Sequence, residues 1–272
     1  MKKIFLTIFV ITSIIFSLAA CGTANENSQE EKLETAEGEN LYDKIKEEGG
    51  IRVGTEGTYP PFTFHDENGE LTGYDVEVAK EVAKRLGLEV EFKETQWDAM
   101  FAGLNSKRFD MIANQVGIKP ERVEKYDFSI PYTVSTAVVV VQKDNNDIQS
   151  FEDLNGKKAA QSLTSNYGEL AKANGAELVG VEGFNQAIEL ITSNRVDATI
   201  NDKLSVLDYM KQKPDAPIKI VAESDDAAES AFMFRKGNEE LVEAVNEVLE
   251  EMKQDGTLAK LSEKWFGEDV SE

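Results

Sequence analysis

Hydrophobic residues in most of this chain recur first with the period of a strand and then with the period of a helix. Over residues 76–86 they lie on one helical face, and Gly87 follows at a position where helices commonly end. Leu88, Val90 and Phe92 then alternate with other residues, which is the pattern of a half-buried strand. The succession continues to residue 252 and predicts an α/β fold with largely parallel sheets.

The individual blocks give approximate bounds for each predicted element. Val134–Val141 is a nearly continuous apolar run, which is typical of a strand buried on both faces. Ser150 and Asp153 have the spacing of a capping box for a short helix. Strands are predicted over residues 51–53, from 62 onwards, 88–92, 109–113, 134–141, 158–161, 178–181, 197–201, 218–221 and 231–234. Helices are predicted over residues 76–86, 97–104, 166–173, around 187–191, up to 209 and over 241–252.

Two stretches of the chain mark candidate boundaries between lobes. The first lies near residues 132–137, where Pro131-Tyr132-Thr133 leads into the apolar strand. The second is the polar run Asp225–Ser230, which separates two predicted strands. Two crossings of this kind indicate two lobes with a cleft between them.

The N-terminus has the pattern of a secretory signal. Lys2 and Lys3 precede an apolar run, Ile4–Leu18, and small residues follow it. The run is short for a membrane-spanning helix, which needs about 20 apolar residues. We therefore assign residues 1–20 to a signal peptide.

Cys21, the single cysteine of the chain, ends the sequence Leu18-Ala19-Ala20-Cys21. This segment resembles the lipobox of bacterial lipoproteins, which implies that Cys21 carries acyl chains and becomes the new N-terminus. Two chains anchor a protein stably, whereas one is marginal. Residues 21–40 are poor in large apolar residues and are expected to form a flexible tether. The resemblance thus implies a protein held on the extracytoplasmic face of the cell membrane.

The charge of the chain narrows its possible partners. The formal net charge is −22, and loss of Lys2 and Lys3 with the signal peptide makes it −24. Such acidity argues against nucleic acid, whose recognition requires a basic surface. One His and a lipidated Cys leave no nucleophile–base pair, so we expect no catalytic residue. Asp144–Asp147 lacks the Gly and the terminal Glu of a calcium loop, so no metal or cofactor is expected.

Five motifs, spread over residues 41–267, resemble those of family 3 extracellular solute-binding proteins, the receptors of polar amino-acid ABC importers. They are Gly54-Thr55-Glu56-Gly57-Thr58-Tyr59-Pro60-Pro61-Phe62, then Gly73-Tyr74-Asp75-Val76-Glu77-Val78, then Gly117-Ile118-Lys119-Pro120-Glu121-Arg122 with Tyr126–Tyr132, then Leu154-Asn155-Gly156-Lys157, and finally Gly256-Thr257-Leu258 through Trp265-Phe266-Gly267.

The resemblance implies a two-lobed periplasmic-binding-protein-like fold of type II, in which a two-strand hinge joins two α/β lobes. Residues 41–133 together with 229–272 would form lobe 1, and residues 134–228 would form lobe 2. A monomer of this kind captures an amino acid by hinge closure and delivers it to an ABC transporter permease.

The chemistry of an amino-acid ligand sets the requirements of its site. The ligand is a zwitterion, and burying it without partners would be costly. A carboxylate is best matched by the planar guanidinium of Arg, and Arg122 matches the family's carboxylate-binding arginine. Further matches are the aromatic walls Tyr59 and Trp97, main-chain groups near Gln115 and Gly117 that bind the ammonium, the helix start Thr164, Ser165 and Asn166, and the ammonium-binding carboxylate Asp202.

Several of these residues have a second interpretation. Trp97 lies on an apolar helix face and could pack in the core. Asp202 could cap the helix that follows it. Glu56 could contact the ligand, pair with Arg122 or be solvated.

The blocks around Trp97, Gln115 and Asn166 look most like cystine-binding members of the family. Cystine carries two zwitterionic ends, and Gln161, Asn114 and Asn166 are candidate partners for the second end. The alternatives are another polar amino acid, such as glutamine, or a dehydratase on the same fold.

Overall fold

The computed structural model describes residues 40–271 of the chain. The signal peptide, the lipidation site Cys21 and the tether up to residue 39 lie outside these residues. Asn40, which we placed at the end of the tether, caps the first helix, because its side-chain oxygen accepts the N–H of Tyr42 (2.9 Å). That helix, Leu41–Glu48, was not predicted from the sequence.

Helices and strands alternate along the described residues, as the hydrophobic pattern predicts. The helices are α1 (Leu41–Glu48), α2 (Tyr74–Arg85), α3 (Trp97–Asn105), α4 (Pro120–Val123), α5 (Asn166–Ala173), α6 (Phe184–Thr192), α7 (Lys203–Gln212), α8 (Glu239–Gln254) and α9 (Thr257–Phe266). The strands are β1 (Gly50–Thr55), β2 (Thr58–Tyr59), β3 (Thr63–His65), β4 (Leu71–Thr72), β5 (Glu89–Glu94), β6 (Met111–Gly117), β7 (Tyr126–Phe128), β8 (Thr133–Gln142), β9 (Lys158–Gln161), β10 (Glu177–Gly180), β11 (Ala198–Asp202) and β12 (Ile218–Arg235). A 3-10 turn covers Glu152–Leu154.

Nine of the described strands form one continuous sheet in the order β10-β9-β11-β8-β12-β6-β1-β5, with β7 paired to β12. The outer pairs β1/β5, β1/β6, β9/β10 and β9/β11 are parallel, whereas every pair that involves β8 or β12 is antiparallel. The parallel arrangement that we predicted therefore holds at the two ends of the sheet and not at its centre. This is a two-lobed α/β fold whose lobes share two long central strands.

The two candidate boundaries, near residues 132–137 and at Asp225–Ser230, fall at the two central strands β8 and β12. Asp225–Ser230 is not a break between two strands, because β12 runs without interruption from Ile218 to Arg235. Residues 227–230 pair with the start of β8, from Ala227↔Thr136 to Ser230↔Thr133. Register shifts between Ile220 and Ala222 and between Glu223 and Ala227 bend the pair. The hinge is thus a ladder of polar, largely exposed residues, which explains why its hydrophobic pattern is weak.

Buried residues form separate clusters on the two sides of this ladder. One side packs β1 and β6 against α2 and α8, with Val53, Tyr74 and Leu249 fully buried. The other side packs β8 and β11 against α6 and the 3-10 turn, with Val140, Ile191 and Leu154 fully buried. This division agrees in outline with the two lobes that we inferred from the sequence.

Gly73 fixes the start of α2 against the strand before it. Its φ of 124° is unfavourable for other residues, and a Cβ atom there would clash with the carbonyl of Phe62. The close approach allows the N–H groups of Tyr74 and Asp75 to donate to the carbonyls of Pro61 (2.9 Å) and Phe62 (3.0 Å). The first turn of α2 is therefore held next to the loop that lines the cleft.

Two further properties concern membranes and metals. Within residues 40–271 no helix is both long enough and apolar enough to cross a membrane. The same residues contain no group of three or more His, Cys, Asp or Glu side chains placed to hold a metal ion.

Candidate functional site

A cleft of about 580 Å³ lies at the ends of β1, β6, β9 and β11. Ligands of open α/β sheets bind at such positions, outside the carboxyl ends of parallel strands. Five of the predicted site residues line it: Tyr59, Trp97, Gln115, Ser165 and Asn166. The rest of the lining consists of Glu56, Thr58, Asn114, Ala160, Gln161, Ser162, Tyr167, Val181, Gly183, Phe184, Ala187, Thr199 and Asn201.

Arg122 lies directly behind this lining, 7% exposed, at the end of α4. One guanidinium nitrogen, Nη1, donates to the carbonyl of Gly117 (3.0 Å). Among the described residues no carboxylate lies within 4.0 Å of the guanidinium, although Glu169 and Glu121 act on it from further away. Burial lowers the pKa of Arg122, since the charge has lost water without gaining an anionic partner. A buried cation of this kind is suited to an anionic ligand group.

Trp97 packs in the core, as one of its two interpretations predicts, and it also lines the cleft. Its ring belongs to the buried cluster around Met100 and Phe109. The guanidinium carbon of Arg122 lies 5.6 Å from the ring centroid, within the range of a cation–π contact. The indole therefore supports Arg122 from one side.

The N-terminus of α5 faces the cleft from the opposite side. Ser165 caps the helix, because its Oγ accepts the N–H of Gly168 (3.0 Å). Thr164 is outside the cleft lining, and both its Oγ (2.6 Å) and its N–H (3.3 Å) donate to Asp98 Oδ1 on α3. The predicted Thr164 thus joins the two walls of the cleft.

Gln115 and Gly117 occupy the end of β6 with different roles. Gln115 has φ 48°, in the left-handed region that few residues other than Gly adopt. Its side-chain oxygen Oε1 is buried without a hydrogen-bond partner among the described residues. Gly117 does not line the cleft, and a Cβ atom there would lie 3.8 Å from Arg122 Nη1. A side chain at Gly117 would therefore extend toward the space beside Arg122.

Asp202 is the N-cap of α7 and not part of the cleft lining. Its Oδ1 accepts the N–H of Leu204 (2.8 Å) and the hydroxyl of Ser135 (2.9 Å), and its Oδ2 accepts the hydroxyl of Tyr167 (3.1 Å). Burial raises its pKa to about 6 in spite of these bonds. The capping interpretation is correct, and Tyr167, which does line the cleft, connects Asp202 to it.

Glu56 is paired with an amide and not with Arg122. Asn114 Nδ2 donates to Glu56 Oε2 (2.6 Å), and the N–H of Glu56 donates to Asn114 Oδ1 (2.8 Å). Burial raises the pKa of Glu56 to about 7, and the nearby Asp98 carboxylate adds to the rise. Of the three roles considered for Glu56, pairing with Arg122 is excluded by this geometry.

Three buried polar atoms in the cleft lining have no hydrogen-bond partner among the described residues. Two are donors, Trp97 Nε1 and Gln161 Nε2, and one is the acceptor Gln115 Oε1. Buried polar groups are nearly always paired, so a group of unpaired ones marks a place for a polar ligand. Asn114, in contrast, has both side-chain atoms engaged with Glu56.

Hydrogen bonds and one ion pair cross the mouth of the cleft. Tyr59 Oη donates to Asn201 Oδ1 (2.6 Å), and Ser205 Oγ donates to the carbonyl of Pro60 (2.7 Å). Lys119 Nζ lies 3.0 Å from Glu169 Oε2. Together with the bond between Thr164 and Asp98, these contacts hold the two walls together, so the fold is in a closed arrangement.

Sequence reasoning missed two functional features of the site. Asn201 accepts the Tyr59 hydroxyl, and its position directly before the predicted site residue Asp202 was the available signal. Asp75 belongs to the motif Gly73-Tyr74-Asp75-Val76-Glu77-Val78, yet its contact with Gln115 is a hydrogen bond between residues 40 positions apart in the sequence. The available signal in the sequence was an Asp between the apolar residues Tyr74 and Val76, directly before a predicted amphipathic helix.

Residues 51–268 match the model of the bacterial extracellular solute-binding proteins, family 3. The chain is 57% identical over 272 residues to the L-cystine-binding protein TcyA of Bacillus subtilis, covering 100% of both chains.

Two solved structures differ in how well they superpose. An L-cystine solute receptor of Neisseria gonorrhoeae in the unliganded open conformation is 54% identical, over 86% of this chain and 100% of that one, with a TM-score of 0.58. An ancestral arginine-binding protein bound to arginine is 43% identical, over 80% and 98%, with a TM-score of 0.76. The structure with the higher identity, which is in an open conformation, gives the lower TM-score.

Proposed function

The chain belongs to the bacterial extracellular solute-binding proteins of family 3, and on that premise we propose that it is an extracytoplasmic receptor for L-cystine that serves an ABC importer. The observation that carries the proposal is the arrangement of the cleft. It combines a buried Arg122 that has no carboxylate partner among residues 40–271 with three unpaired polar atoms, Trp97 Nε1 and Gln115 Oε1 on the same wall and Gln161 Nε2 on the facing wall. The identity to a named L-cystine-binding protein supports the choice of ligand.

One end of cystine would bind at Arg122. Its carboxylate would receive the guanidinium fork and the N–H groups at the start of α5, near Ser165 and Asn166. Its ammonium would face the acceptor Gln115 Oε1, with Tyr59 and Trp97 on either side. The carboxylate of Asp202 would act on the ammonium through Tyr167, its partner at the cleft wall.

The other end of cystine would bind toward Gln161. The unpaired Nε2 of Gln161 is a donor suited to the second carboxylate. Of the candidates that the sequence offers for this end, Asn114 is the weakest because Glu56 already occupies its amide. Glu56 is then a carboxylate at the cleft wall that a second ammonium could reach.

Binding and closure are one process in this proposal. The ligand would dock on the wall that carries Tyr59, Trp97 and Arg122, and the wall that carries α5 and Asp202 would close over it about β8 and β12. The ligand shifts the equilibrium between the open and closed states by its additional affinity for the closed state, and the contacts across the cleft stabilise the same state. The lobe limits 41–133 with 229–272 and 134–228 belong to this proposal.

Calorimetric titration of the purified protein with L-cystine, L-cysteine, L-glutamine and L-arginine tests the function. We expect L-cystine to bind tightest, and micromolar affinity would correspond to roughly −8 kcal/mol. Tighter binding of glutamine or arginine would show that the ligand assignment is wrong, while the proposal of an amino-acid receptor would still hold. A protein that binds none of the four would overturn the proposal.

The named relatives give the dehydratase alternative no support, and a Glu-based reaction would have to use Glu56, which lines the cleft. His65, the only histidine of the chain, lies outside the lining, where Nδ1 contacts the carbonyl of Gly57 (3.2 Å) and Nε2 contacts Glu94 (3.2 Å). The relatives reported above are binding proteins by name.

We also propose that the protein is a monomer anchored through acyl chains on Cys21 at the extracytoplasmic face of the membrane. The support is the leader sequence alone, with residues 1–20 as signal peptide and the following residues as tether. Such an anchor would keep the receptor near its permease at a high effective concentration.

A further inference from the structure

Asp75 is a fully buried carboxylate that the described binding steps do not use. It lies in the first turn of α2, outside the cleft lining. Asp110, also buried on this side of the hinge, is paired with Arg52 (2.8 Å) and Arg235 (3.6 Å). Asp75 has no such cation among residues 40–271, and two N–H groups of Gln115 donate to it instead. A buried anion without a cation is costly, so its retention calls for a specific reason.

The two hydrogen bonds fix the conformation of Gln115. The backbone N–H of Gln115 donates to Asp75 Oδ2 (2.6 Å), which stabilises a residue whose φ of 48° is unfavourable. The side-chain nitrogen Nε2 donates to Asp75 Oδ1 (2.7 Å) and to Thr133 Oγ1 (3.2 Å). Both amide hydrogens are therefore engaged away from the ligand site. Oε1 is left as the free acceptor of a residue that lines the cleft, and it is buried and unpaired among the described residues.

We infer that Asp75 is a positioning residue, which turns the Gln115 amide so that its oxygen and not its nitrogen faces the ammonium group of the ligand. A carbonyl oxygen accepts a hydrogen bond from an ammonium, whereas an NH₂ group would oppose it donor to donor. Asp75 thereby selects ligands that carry an α-ammonium. The inference rests on the proposed function, because it concerns the amino-acid end that binds beside Arg122.

Thr133 extends the same contact to the hinge. It is the first residue of β8 and pairs with Ser230 of β12. The Gln115 amide is thus held between α2 and the hinge strand. An amide that is fixed from both directions cannot turn without breaking bonds to both elements.

The substitution Asp75→Asn tests the inference because it keeps the shape of the side chain and replaces one acceptor oxygen by a donor NH₂ group. The introduced side chain has a single oxygen, which the backbone N–H of Gln115 requires. Its NH₂ group then faces the Gln115 side chain, which must turn and present Nε2 to the cleft. We expect the affinity for L-cystine to fall about tenfold, the range of a hydrogen bond to a charged group.

A ligand without ammonium groups separates positioning from general damage. The probe is 3,3′-dithiodipropionic acid, which is cystine without its two amino groups. We expect Asp75→Asn to reduce the ratio of the affinities for cystine and for this diacid. The control Asp110→Asn removes a buried carboxylate that is paired with Arg52 and Arg235. It should lower the melting temperature and leave that ratio unchanged.

The double variant Asp75→Asn with Gln115→Glu provides a rescue. The introduced amide can donate to one oxygen of the introduced carboxylate, and the other oxygen again faces the ligand as an acceptor. We expect cystine affinity to recover to within about threefold of the wild type. If Asp75→Asn weakens both ligands equally, or if the double variant binds no better than the single one, the inference is wrong.

The experiment can also tell a wrong role for Asp75 apart from a wrong choice of ligand. If the wild type binds arginine or glutamine in place of cystine, the same variants are compared with that amino acid and its deaminated analogue. The ligand assignment would then fail while the role of Asp75 is still tested.

Discussion

At the scale of single residues, the site is defined by polar groups that lack the partners burial normally requires. Arg122 is a buried cation with one carbonyl contact, and Asp75, Glu56 and Asp202 are buried carboxylates with amide or hydroxyl partners. Such groups cost stability in the protein alone, and functional sites commonly contain them. A bound zwitterion would supply the missing charges.

The raised pKa values predict two opposite pH dependences. Burial raises the pKa of Glu56 and Asp75 to about 7 and that of Asp202 to about 6. Between pH 4 and 7 the folded protein therefore binds more protons than the unfolded chain, so its free energy of unfolding decreases as pH rises. A ligand ammonium favours the ionised carboxylates, so cystine affinity should increase over the same range.

Melting temperatures at pH 5 and pH 8, with and without L-cystine, measure both effects. We expect the protein alone to melt higher at pH 5 and the increment from cystine to be larger at pH 8. Carboxylates with lowered pKa values, such as Asp255 at about 2, change stability only at lower pH and do not interfere. Equal increments at the two pH values would contradict a role for these carboxylates in binding.

At the scale of elements, the local patterns in the sequence predicted most helices and strands, and long-range contacts decided the rest. α5 and β9 have the bounds that we predicted, Asn166–Ala173 and Lys158–Gln161, because their own periodicity and capping residues specify them. The 18-residue strand β12 was divided in two, since Asp225–Ser230 is polar. Its strand character depends on pairing with Thr133–Thr136, about 90 residues away, which no local pattern reveals.

The site was predictable to the extent that the family resemblance identified its residues. Arg122, Trp97 and Gln115 come together as the motifs imply. The contact between Asp75 and Gln115 was not predictable, because it depends on a left-handed backbone and a close approach of α2 to β6. The capping role of Asp202 followed from its place before a predicted helix.

The bond between α3 and the loop before α5 predicts how closure contributes to affinity. Asp98 accepts both donors of Thr164 across the cleft and does not line it. Asp98→Ala should therefore destabilise only the closed state, by about 1 kcal/mol. We expect roughly fivefold weaker cystine binding and faster dissociation in stopped-flow measurements.

A matched substitution controls for the loss of an exposed carboxylate at a helix start. Asp153 accepts the N–H groups of Gln149 (2.9 Å) and Ser150 (3.0 Å) within one side of the molecule. Asp153→Ala should leave cystine affinity unchanged. Equal effects of the two substitutions would indicate that Asp98 has no special role in closure.

At the scale of the whole molecule, two packed units share one pair of strands, and polar contacts cross the cleft between them. We expect the walls to separate about β8 and β12. The poorer superposition on an open receptor of higher identity agrees with such a motion. Ligand binding and a change of shape are therefore coupled in this account.

The leader sequence predicts where the whole molecule is held. Replacing the lipidation site by Cys21→Ser should release the protein from the membrane fraction into the medium or the soluble fraction. Because every residue that lines the cleft lies within residues 56–201, the affinity for cystine should not change. Fractionation with immunodetection measures the first effect, and titration of the released protein measures the second. A variant that stays with the membrane would rule out the lipid anchor.

The most direct test of the central claim is calorimetric titration of the Arg122→Ala protein with L-cystine, beside the wild type and the exposed-site control Arg108→Ala. We predict that Arg122→Ala loses at least a hundredfold in affinity, the range for one partner of a buried charge pair. Its melting temperature without ligand should be equal or higher, since an unpaired buried charge has been removed. Arg108→Ala should bind normally. Unchanged affinity in Arg122→Ala would show that the cleft does not bind an amino-acid carboxylate through this residue.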